Sequence, residues 1–529
     1  MRISLFLIFV PFWIFSQNVS VLNHALIDEI LADYNNLDIT QHTSFKPIIF
    51  SDTALSSRVS DIKIKANFLD RFINKNLIDF TDTDFNLKIN PLFNFSIGRD
   101  EVGKTYINSR GIEIKGKIGG DVSFYTSFYE NQAIFPIYFE NYIWQNNLDE
   151  IDFVVPGQGI ARVDKQGRII RDLDFAMANG HVLYQVNNYF NFQFGHGKHF
   201  IGDGYRSLFL SDNSFNYPYF KITTKVSKFS YTNLFSSYQD LRSEYKLAGI
   251  YRKKFSTIHH LSYNINEKLN IGFFEAIIWE QDTFGRGFDV NYLNPIIFYR
   301  PVEFALGSEG GNALMGVSFK YNIKNRSNIY SQFLIDEFKL SEIKSGNGWW
   351  ANKYAVQLGF KSYSFLGIDK LFVQSEFNLA KPFIYSHHRP LQSYSHYGQE
   401  LAHPFGSSFI ENINIIRYNY KRYYVQLKFL YAKKGGEIAD STTNFGSNIF
   451  QSYESGDRFE YNNKIAQGNT TCLKYLDLKF GFLLNPINNM KIEIGFSKRQ
   501  ENSIFEDSNL NNHYYISLIT DLRNIYDDF

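Results

Sequence analysis

The residues most suited to chemistry are concentrated in a glycine-rich segment at 195–212, GHGKHFIGDGYRSLFLSD. Its glycines permit tight bends, and Asp203 and Arg206 supply charge of both signs. His196 and His199 could each ligate a metal ion, but a metal site needs more than two ligands and the spacing supplies no others. The glycines also lack the GxGxxG spacing of a dinucleotide-binding turn. We therefore predict no metal and no cofactor here.

A second cluster, at 278–304, combines aromatic rings with charged side chains. This mixture suits sugar binding, because rings cover the C–H faces of a sugar while arginine and carboxylate groups hydrogen-bond its hydroxyls. The alternative is that Trp279 and Tyr292 belong to an aromatic girdle at the lipid headgroups. From the two clusters we hypothesise that the glycan-binding residues are Asp203, Arg206, Trp279, Arg286, Arg300 and Glu303.

The remaining polar residues give no sign of catalysis. Asp336 and Glu337 are neighbours on a predicted strand, so their side chains face opposite ways and do not pair as acid and base. A nucleophilic site would need Ser, His and a third orienting group brought together, and the spacing identifies no such set. We therefore expect a protein that is not an enzyme.

The elements that must position these residues are strands with a period of two. In 85–97 the apolar residues alternate with polar ones such as Asn86, Lys88 and Asn94. The same pattern recurs at 189–196, 217–227, 256–265, 327–338, 422–432, 488–499 and 512–522. The polar partners suit a wet lumen better than a dry core, which favours an outer-membrane β-barrel.

The connections between the strands alternate in length. Short turns fall at positions such as Gly119-Gly120 and Asn187-Asn188, while the long connections are 131–178, 197–216, 280–310, 381–408 and 433–470. Outer-membrane barrels have short periplasmic turns and long external loops. The pattern predicts an all-β transmembrane barrel of about 18 antiparallel strands over 85–529. After the last alternating segment, Asp527-Asp528 interrupts the pattern, so we expect the final residues to hang into the periplasm.

The composition agrees with this fold class. The chain contains 53 Phe and 36 Tyr, which a barrel would place on its lipid face and in its girdles. With 54 basic and 53 acidic residues, it lacks the basic excess typical of nucleic-acid binding. The single cysteine, Cys472, has no intrachain partner for a disulfide.

The N-terminal region differs from the rest. Residues 1–16 have the basic start and short apolar run of a secretory signal peptide, which predicts export to the outer membrane. In 17–84 the apolar residues Leu22, Leu26 and Ile30 predict one short helix. We interpret 17–84 as a periplasmic, plug-like segment, with the alternative that the helix merely packs under the barrel floor.

Several blocks of the sequence resemble a known family of barrels: HTSFKP at 42–47, FGHGKHFIGDGYRSLFLSD at 194–212, LNPIIFYRPVEF at 293–304, YSQFLIDEF at 330–338 and HPFGSSFIE at 403–411. They are similar to the capsule-assembly Wzi family and its gliding-motility branch, RemB. This resemblance implies a monomeric barrel of about 18 strands whose external loops handle surface polysaccharide. The RemB branch implies a part in adhesion and gliding.

The expected function is therefore to bind or organise surface or capsular polysaccharide in support of gliding motility, adhesion or capsule assembly. The expected partners are outer-membrane lipid, the polysaccharide, and proteins of a gliding or secretion machinery. Two alternatives stay open. The lumenal polar residues would also suit a porin-like diffusion channel, and the long loops would also suit a structural barrel within a secretion or motility complex.

Overall fold

Alternation along the strands decides which side chains face the lumen and which face outward. In the computed structural model, the described residues are 17–34, 41–51, 72–145, 152–163, 172–246, 249–281, 287–295, 311–323, 326–505 and 508–529. The predicted signal peptide at 1–16 lies outside these residues. The described strands form a closed antiparallel barrel of 18 strands, which confirms the predicted fold class.

The barrel strands are numbered here in chain order. They are β1 Phe85–Arg99, β2 Lys104–Ile118, β3 Val122–Ile134, β4 Leu173–Gln185, β5 Phe190–Gly197, β6 Tyr217–Val226, β7 Phe229–Gln239, β8 Lys253–Asn264, β9 Leu269–Glu280, β10 Asn312–Ile323, β11 Ser327–Glu337, β12 Lys353–Ser362, β13 Leu371–Ala380, β14 Phe409–Tyr420, β15 Tyr423–Lys434, β16 Thr471–Asn485, β17 Met490–Ser503 and β18 Asn509–Thr520. Each pairs with its neighbours in the chain, and β18 closes the barrel on β1.

Helices and short strands complete the described structure, and three of the short strands, Ile78–Thr81, Asp152–Val155 and Gly159–Val163, belong to the barrel sheet. The helices are α1 His24–Tyr34, α2 Ile137–Gln145 and α3 Leu340–Ser345, with 3-10 turns at Ser243–Tyr245, Val290–Leu293, Phe365–Gly367 and Pro390–Gln392. The short strands are Gln17–Val19, Phe45–Lys46, Ile49–Ser51, Ile78–Thr81, Asp152–Val155, Gly159–Val163, Phe200–Ile201, Ser395–His396 and Gln399–Glu400. Within the described residues, no helix combines the length and the apolar character that crossing a membrane requires.

The two faces of the wall differ as the alternation predicts. Outward positions carry exposed apolar side chains such as Ile97 and Phe194, the latter 68% exposed. Inward positions carry buried polar side chains such as Gln193, Glu376 and Lys428. An apolar exterior suits lipid, and the inward polar groups are satisfied by what fills the lumen.

The two ends of the barrel also differ. Short connections such as 119–121 and 421–422 lie at one end, called here the short-turn end. The first residue of β1 and the last residue of β18 lie at the same end. Long connections such as 135–172, 381–408 and 435–470 lie at the other, the long-loop end. The lumen between them holds chain segments from the N-terminal region, from one loop and from the C-terminal region.

Candidate functional site

The lumen is occupied by three chain segments, together called the plug. They are the N-terminal segment 17–51 as far as it is described, the inner loop 198–216 between β5 and β6, and the tail 521–529 after β18. The strand Phe200–Ile201 of the inner loop pairs with Phe45–Lys46, so two of the segments share a small sheet inside the barrel. The plug is therefore one connected structure.

Helix α1 lies in the lumen near the short-turn end. It begins after Asn23, whose Oδ1 accepts a hydrogen bond from Leu26 N at 3.0 Å, as an N-cap residue does. Asp28 forms a 3.0 Å ion pair with Lys361, an inward residue of β12. The apolar side chains Ile27 and Ile30 pack into the core of the lumen. Polar and apolar contacts together hold the helix inside the barrel.

The inner loop is anchored by Asp203. This carboxylate accepts a hydrogen bond from Thr43 Oγ1 at 2.6 Å and lies 3.3 Å from Lys320 Nζ. Burial opposes its ionisation, but the charges of Lys320 and Lys46 and the Thr43 hydroxyl outweigh burial and hold the pKa of Asp203 well below its usual value. Asp203 therefore stays charged and ties the inner loop to the N-terminal segment and to the wall.

A buried ionic cluster, the Arg206 network, lies at the middle of the lumen. Arg206 of the inner loop is 1% exposed and its NH2 lies 2.7 Å from Asp528 of the tail and 3.3 Å from Glu411 of β14. Lys428 of β15 lies 2.7 Å from Asp528, and His403 Nε2 lies 2.6 Å from Glu411. The network thus joins two plug segments to two strands of the wall.

The charge state of the tail follows from these contacts. Burial alone would raise the pKa of Asp528, but Arg206 and Lys428 outweigh it and hold that pKa well below its usual value. A carboxylate that is fully buried is stable only with such partners. Asp528 is therefore ionised at neutral pH, and the inner loop and the tail depend on each other.

The position of the tail corrects one prediction. The residues after Thr520 leave the wall, as expected, but they turn into the lumen and do not hang into the periplasm. Tyr526 OH donates to Asp212 at 2.7 Å, and the ring of Phe529 packs edge-on against Tyr142 at 4.8 Å. The acidic pair that interrupts the alternation supplies Asp528, whose cationic partners lie inside the barrel.

Below the Arg206 network lies a lumenal cavity of about 810 Å³. It extends from the turn residues Lys421 and Asn489 at the short-turn end to Phe139 of α2, and tyrosines and charged side chains dominate its lining. This volume is within the range of small-molecule sites, about 300–1,000 Å³. Plug residues such as Asp28, Tyr205 and Tyr526 form part of the cavity lining.

A second feature, the loop platform, lies at the long-loop end and consists of Trp349, Trp350, Tyr453 and Arg458. The guanidinium of Arg458 lies 3.6 Å from the centre of the Trp350 ring, and the Trp350 and Tyr453 rings are 5.2 Å apart. Trp349 Nε1 donates to the Glu460 carboxylate at 2.7 Å. All four side chains are partly exposed, and their partners fix the orientation of the rings.

The candidate residues from the sequence do not come together. Asp203 and Arg206 lie in the lumen with protein partners. Trp279, 5% exposed, points to the outer wall of β9 and stacks on Tyr292 at 4.1 Å, an orientation that fits the girdle alternative more closely than a loop site. The other three, Arg286, Arg300 and Glu303, lie outside the described residues. Their assignment to glycan binding stays a prediction.

A segment of the chain covers outward-pointing polar residues on the wall near Trp279. Asn233, His259 and Glu275 are cross-strand neighbours that point outward, and all three are buried. The segment 287–295 lies over them, since Thr257 Oγ1 donates to the Tyr292 carbonyl at 2.8 Å. The chain thereby shields polar residues on a face that would otherwise meet lipid.

The histidines of 195–212 are not arranged as a metal site. His199 is buried with its ring edge-on to Tyr219 at 4.3 Å, whereas His196 is partly exposed and lies 3.2 Å from the Ala178 carbonyl. Burial, and then the charge of Lys221, hold the pKa of His199 well below its usual value. Among the described residues, no three His, Cys, Asp or Glu side chains converge as metal ligands.

Sequence reasoning missed the loop platform. The signal was present, since Trp349 and Trp350 are adjacent and follow the segment SGNG, in a chain with five tryptophans. Their partners Tyr453 and Arg458 lie about 100 positions away, in the connection between β15 and β16. Spacing along the chain could not show that these two loops meet.

One loop beside this surface carries a carboxylate that responds to pH. Burial raises the pKa of Glu400 to about 8, against the opposing charge of Lys434. Because the folded loop then holds a proton that the unfolded chain releases near pH 4.5, the stability of loop 381–408 falls as pH rises from about 4.5 to about 8. We expect slower proteolysis of this loop at pH 5.5 than at pH 8.5.

The matched variant is Glu400→Gln, which cannot ionise. We expect its loop to be cleaved at the same rate at both pH values, while cleavage of an unrelated loop such as 504–508 has the same pH dependence in both proteins. An equal pH dependence of loop 381–408 in the variant and the wild type would contradict this prediction. Tyr142 also faces Glu400 and stays neutral over this range, because burial raises its pKa.

Comparison with known proteins supports the fold. No family model and no curated protein matches the sequence. Among solved structures the chain is similar to Wzi of Escherichia coli, with TM-score 0.54 and 13% identity. The similarity covers 95% of this chain and 99% of that chain. Wzi is described as an outer-membrane protein involved in group 1 capsule assembly and as a carbohydrate-binding β-barrel. The chain is also similar to OprD of Pseudomonas aeruginosa, with TM-score 0.42, 10% identity, and coverage of 82% and 94%.

The likeness to Wzi shows the fold. The protein is an outer-membrane β-barrel, and the short-turn end of such barrels faces the periplasm. The Wzi part of the resemblance is confirmed at the level of the fold. Neither comparison of sequences supports the RemB part.

Proposed function

We propose that the protein is an outer-membrane glycan-binding barrel that holds surface polysaccharide at its loop platform. The observation that carries this proposal is the platform itself: partly exposed tryptophan rings beside a cation, at the end of the barrel that faces away from the cell. Aromatic faces stack on sugar rings, and cationic groups bind carboxylates or hydroxyls. The arrangement favours an acidic polysaccharide.

The platform is preorganised for this task. Arg458 holds one face of Trp350, Lys353 Nζ lies 4.1 Å from the Tyr453 ring centre, and Glu460 fixes the indole of Trp349. Side chains held in place lose little conformational freedom when a ligand binds. The ligand therefore meets rings that are already oriented.

The filled lumen supports a holding role over transport. Within the described residues, the inner loop and the tail occupy the lumen and meet across the Arg206 network. Wzi, a protein of known structure with a similar fold, is described as carbohydrate-binding. We extend the proposal to support of gliding motility, adhesion or capsule assembly without enzymatic activity, with proteins of a motility or secretion machinery as further partners.

The rival function is a porin-like diffusion channel. One observation favours it: charged inward side chains such as Arg417, Lys479 and Glu493 line a cavity that reaches the short-turn end. A channel would require the plug to move. The third reading, a structural barrel within a larger complex, would use the same loops as docking surfaces for proteins.

The test uses the purified full-length protein in detergent and in planar bilayers. We expect it to retain labelled polysaccharide extracted from the surface of the producing cells, and polygalacturonate more strongly than neutral dextran. We also expect no stable conductance. Stable conductance without retention would support the channel, while stoichiometric copurifying proteins without retention would support the structural role.

A further inference from the structure

We propose that the lumenal cavity is a second saccharide site, which binds a short oligosaccharide carrying a carboxylate. This inference rests on the proposed function only in taking a saccharide as the ligand. It concerns residues far from the loop platform, on strands β13 to β18 at the periplasm-facing half of the lumen. Three features carry it: an unpaired cation, two flat aromatic rings and a fitting volume.

The unpaired cation is Arg417, an inward residue of β14. It is 6% exposed, its Nε has no hydrogen-bond partner, and its guanidinium lies 4.6 Å from the centre of the Phe372 ring. Within the described residues it makes no hydrogen bond and no ion pair. By contrast, two other buried cations of the lumen, Lys361 and Lys428, are each paired with a carboxylate.

An unpaired buried guanidinium is costly, and it indicates a missing anion. A planar carboxylate satisfies two of its N–H groups at once, which a spherical ion or a hydroxyl does not. The neighbouring inward side chains across the sheet are Phe372 on one side and Gln426 on the other. Neither of them supplies a negative charge. The carboxylates of Asp28 and Asp521 also act on the guanidinium, but they are paired with Lys361 and Lys491, so a ligand would supply the carboxylate that contacts Arg417.

Two tyrosine rings lie flat along the wall beside this position. The ring of Tyr424 covers Gly481 and the ring of Tyr515 covers Gly495, so that a Cβ at either glycine would overlap the ring. The hydroxyls of both tyrosines donate to the Glu493 carboxylate. Held in this way, the rings line the cavity and can stack on the C–H face of a sugar.

The cavity also offers hydrogen-bond partners for sugar hydroxyls. Asp477, Glu493 and Lys479 line it, and the lysine lies 3.6 Å from Asp477 and 3.8 Å from Glu493. A sugar acid can donate hydrogen bonds from its hydroxyls to these carboxylates while its own carboxylate contacts Arg417, whereas an inorganic anion lacks such a set of hydroxyls. The cavity of about 810 Å³ has room for a few sugar rings.

The experiment measures binding of trigalacturonate to the full-length wild-type protein by isothermal titration calorimetry, with neutral maltotriose and inorganic phosphate as comparison probes. We expect trigalacturonate to bind and the other two probes to bind at least tenfold more weakly. Arg417→Gln should weaken trigalacturonate binding at least tenfold, and Arg417→Lys should restore part of it, since it keeps the charge but loses the two-pronged contact.

A second variant keeps the test decisive if Arg417→Gln does not fold. Tyr515→Leu removes one flat ring and leaves Arg417 in place, and we expect a loss of several-fold in affinity for trigalacturonate. The control is Phe505→Ala, an exposed ring that lines neither the cavity nor the loop platform, which should leave trigalacturonate binding unchanged. Unaltered binding in both cavity variants, or phosphate binding as strong as trigalacturonate binding, would overturn the proposal.

The two proposals fail separately. Loss of polysaccharide retention in Arg458→Gln, together with trigalacturonate binding that still depends on Arg417, supports both sites. If the wild type does not retain the polymer but binds trigalacturonate in a way that depends on Arg417, the loop-platform function is excluded. The cavity site is then supported. Polymer retention without any trigalacturonate binding would support the loop-platform function and exclude the cavity site.

Discussion

Replacement of Arg206 by methionine is expected to release the inner loop from the lumen and to make the barrel conduct ions. The substitution keeps an unbranched side chain, shorter than that of arginine, and removes the charge that Asp528 and Glu411 share. Removing one partner of a buried ion pair costs about 3–5 kcal/mol, because the other charge stays buried without compensation. Amide exchange in 198–216 and 521–529 should accelerate by roughly two to four orders of magnitude.

The matched control combines Arg206→Met with Asp528→Asn. Removing the carboxylate as well should restore part of the protection, since Glu411 keeps His403 at 2.6 Å. Bilayer conductance should be highest in Arg206→Met, lower in the double variant and absent in the wild type. Unchanged exchange and conductance in Arg206→Met would show that the Arg206 network does not hold the plug.

Replacement of Trp350 by alanine is expected to abolish most of the retention of acidic polysaccharide. Trp350 is the central ring of the loop platform, with Arg458 on its face and Tyr453 beside it. Truncation of such an aromatic anchor costs about 2 kcal/mol or more, which weakens binding by a factor of about 30. The dissociation constant for polygalacturonate, measured on the immobilised protein, should rise accordingly.

Two controls separate a specific loss from a general one. Phe505→Ala removes an exposed ring at the same end of the barrel. Among the described residues no cation lies over this ring, and the substitution should leave retention unchanged. Trp279→Phe tests the hypothesis drawn from the sequence and should have no effect, since this ring is covered on the outer wall. Equal retention by Trp350→Ala and the wild type would exclude the loop platform as the binding surface.

The wall of the barrel could be predicted because each strand carries its own signal. Residues 85–97 alternate between apolar and polar side chains, and the structure turns the first set outward and the second inward along β1. Turn residues such as Gly119 mark the short connections, where a positive φ is required. The number of strands follows from local patterns that repeat along the chain.

The contents of the lumen could not be predicted in the same way. An inward polar residue such as Glu411 gives the same sequence pattern whether its side chain contacts water or a buried arginine. Its partner Arg206 is 205 positions away, and Asp528 is 322 positions from Arg206. Charge type and spacing singled out Asp203 and Arg206 as important, but only the fold shows that they anchor the inner loop.

The position of the tail has a consequence for how the barrel is assembled. The tail follows β18 directly, and β18 is the strand that closes the sheet on β1. The ion pairs between Arg206, Asp528 and Lys428 therefore bring together parts of the chain that are far apart in sequence, and such contacts form late because the intervening chain must first be ordered. The tail thus couples two steps: Asp528 reaches Arg206 and Lys428 only when β18 is in place, so completion of the sheet and filling of the centre of the lumen become a single event.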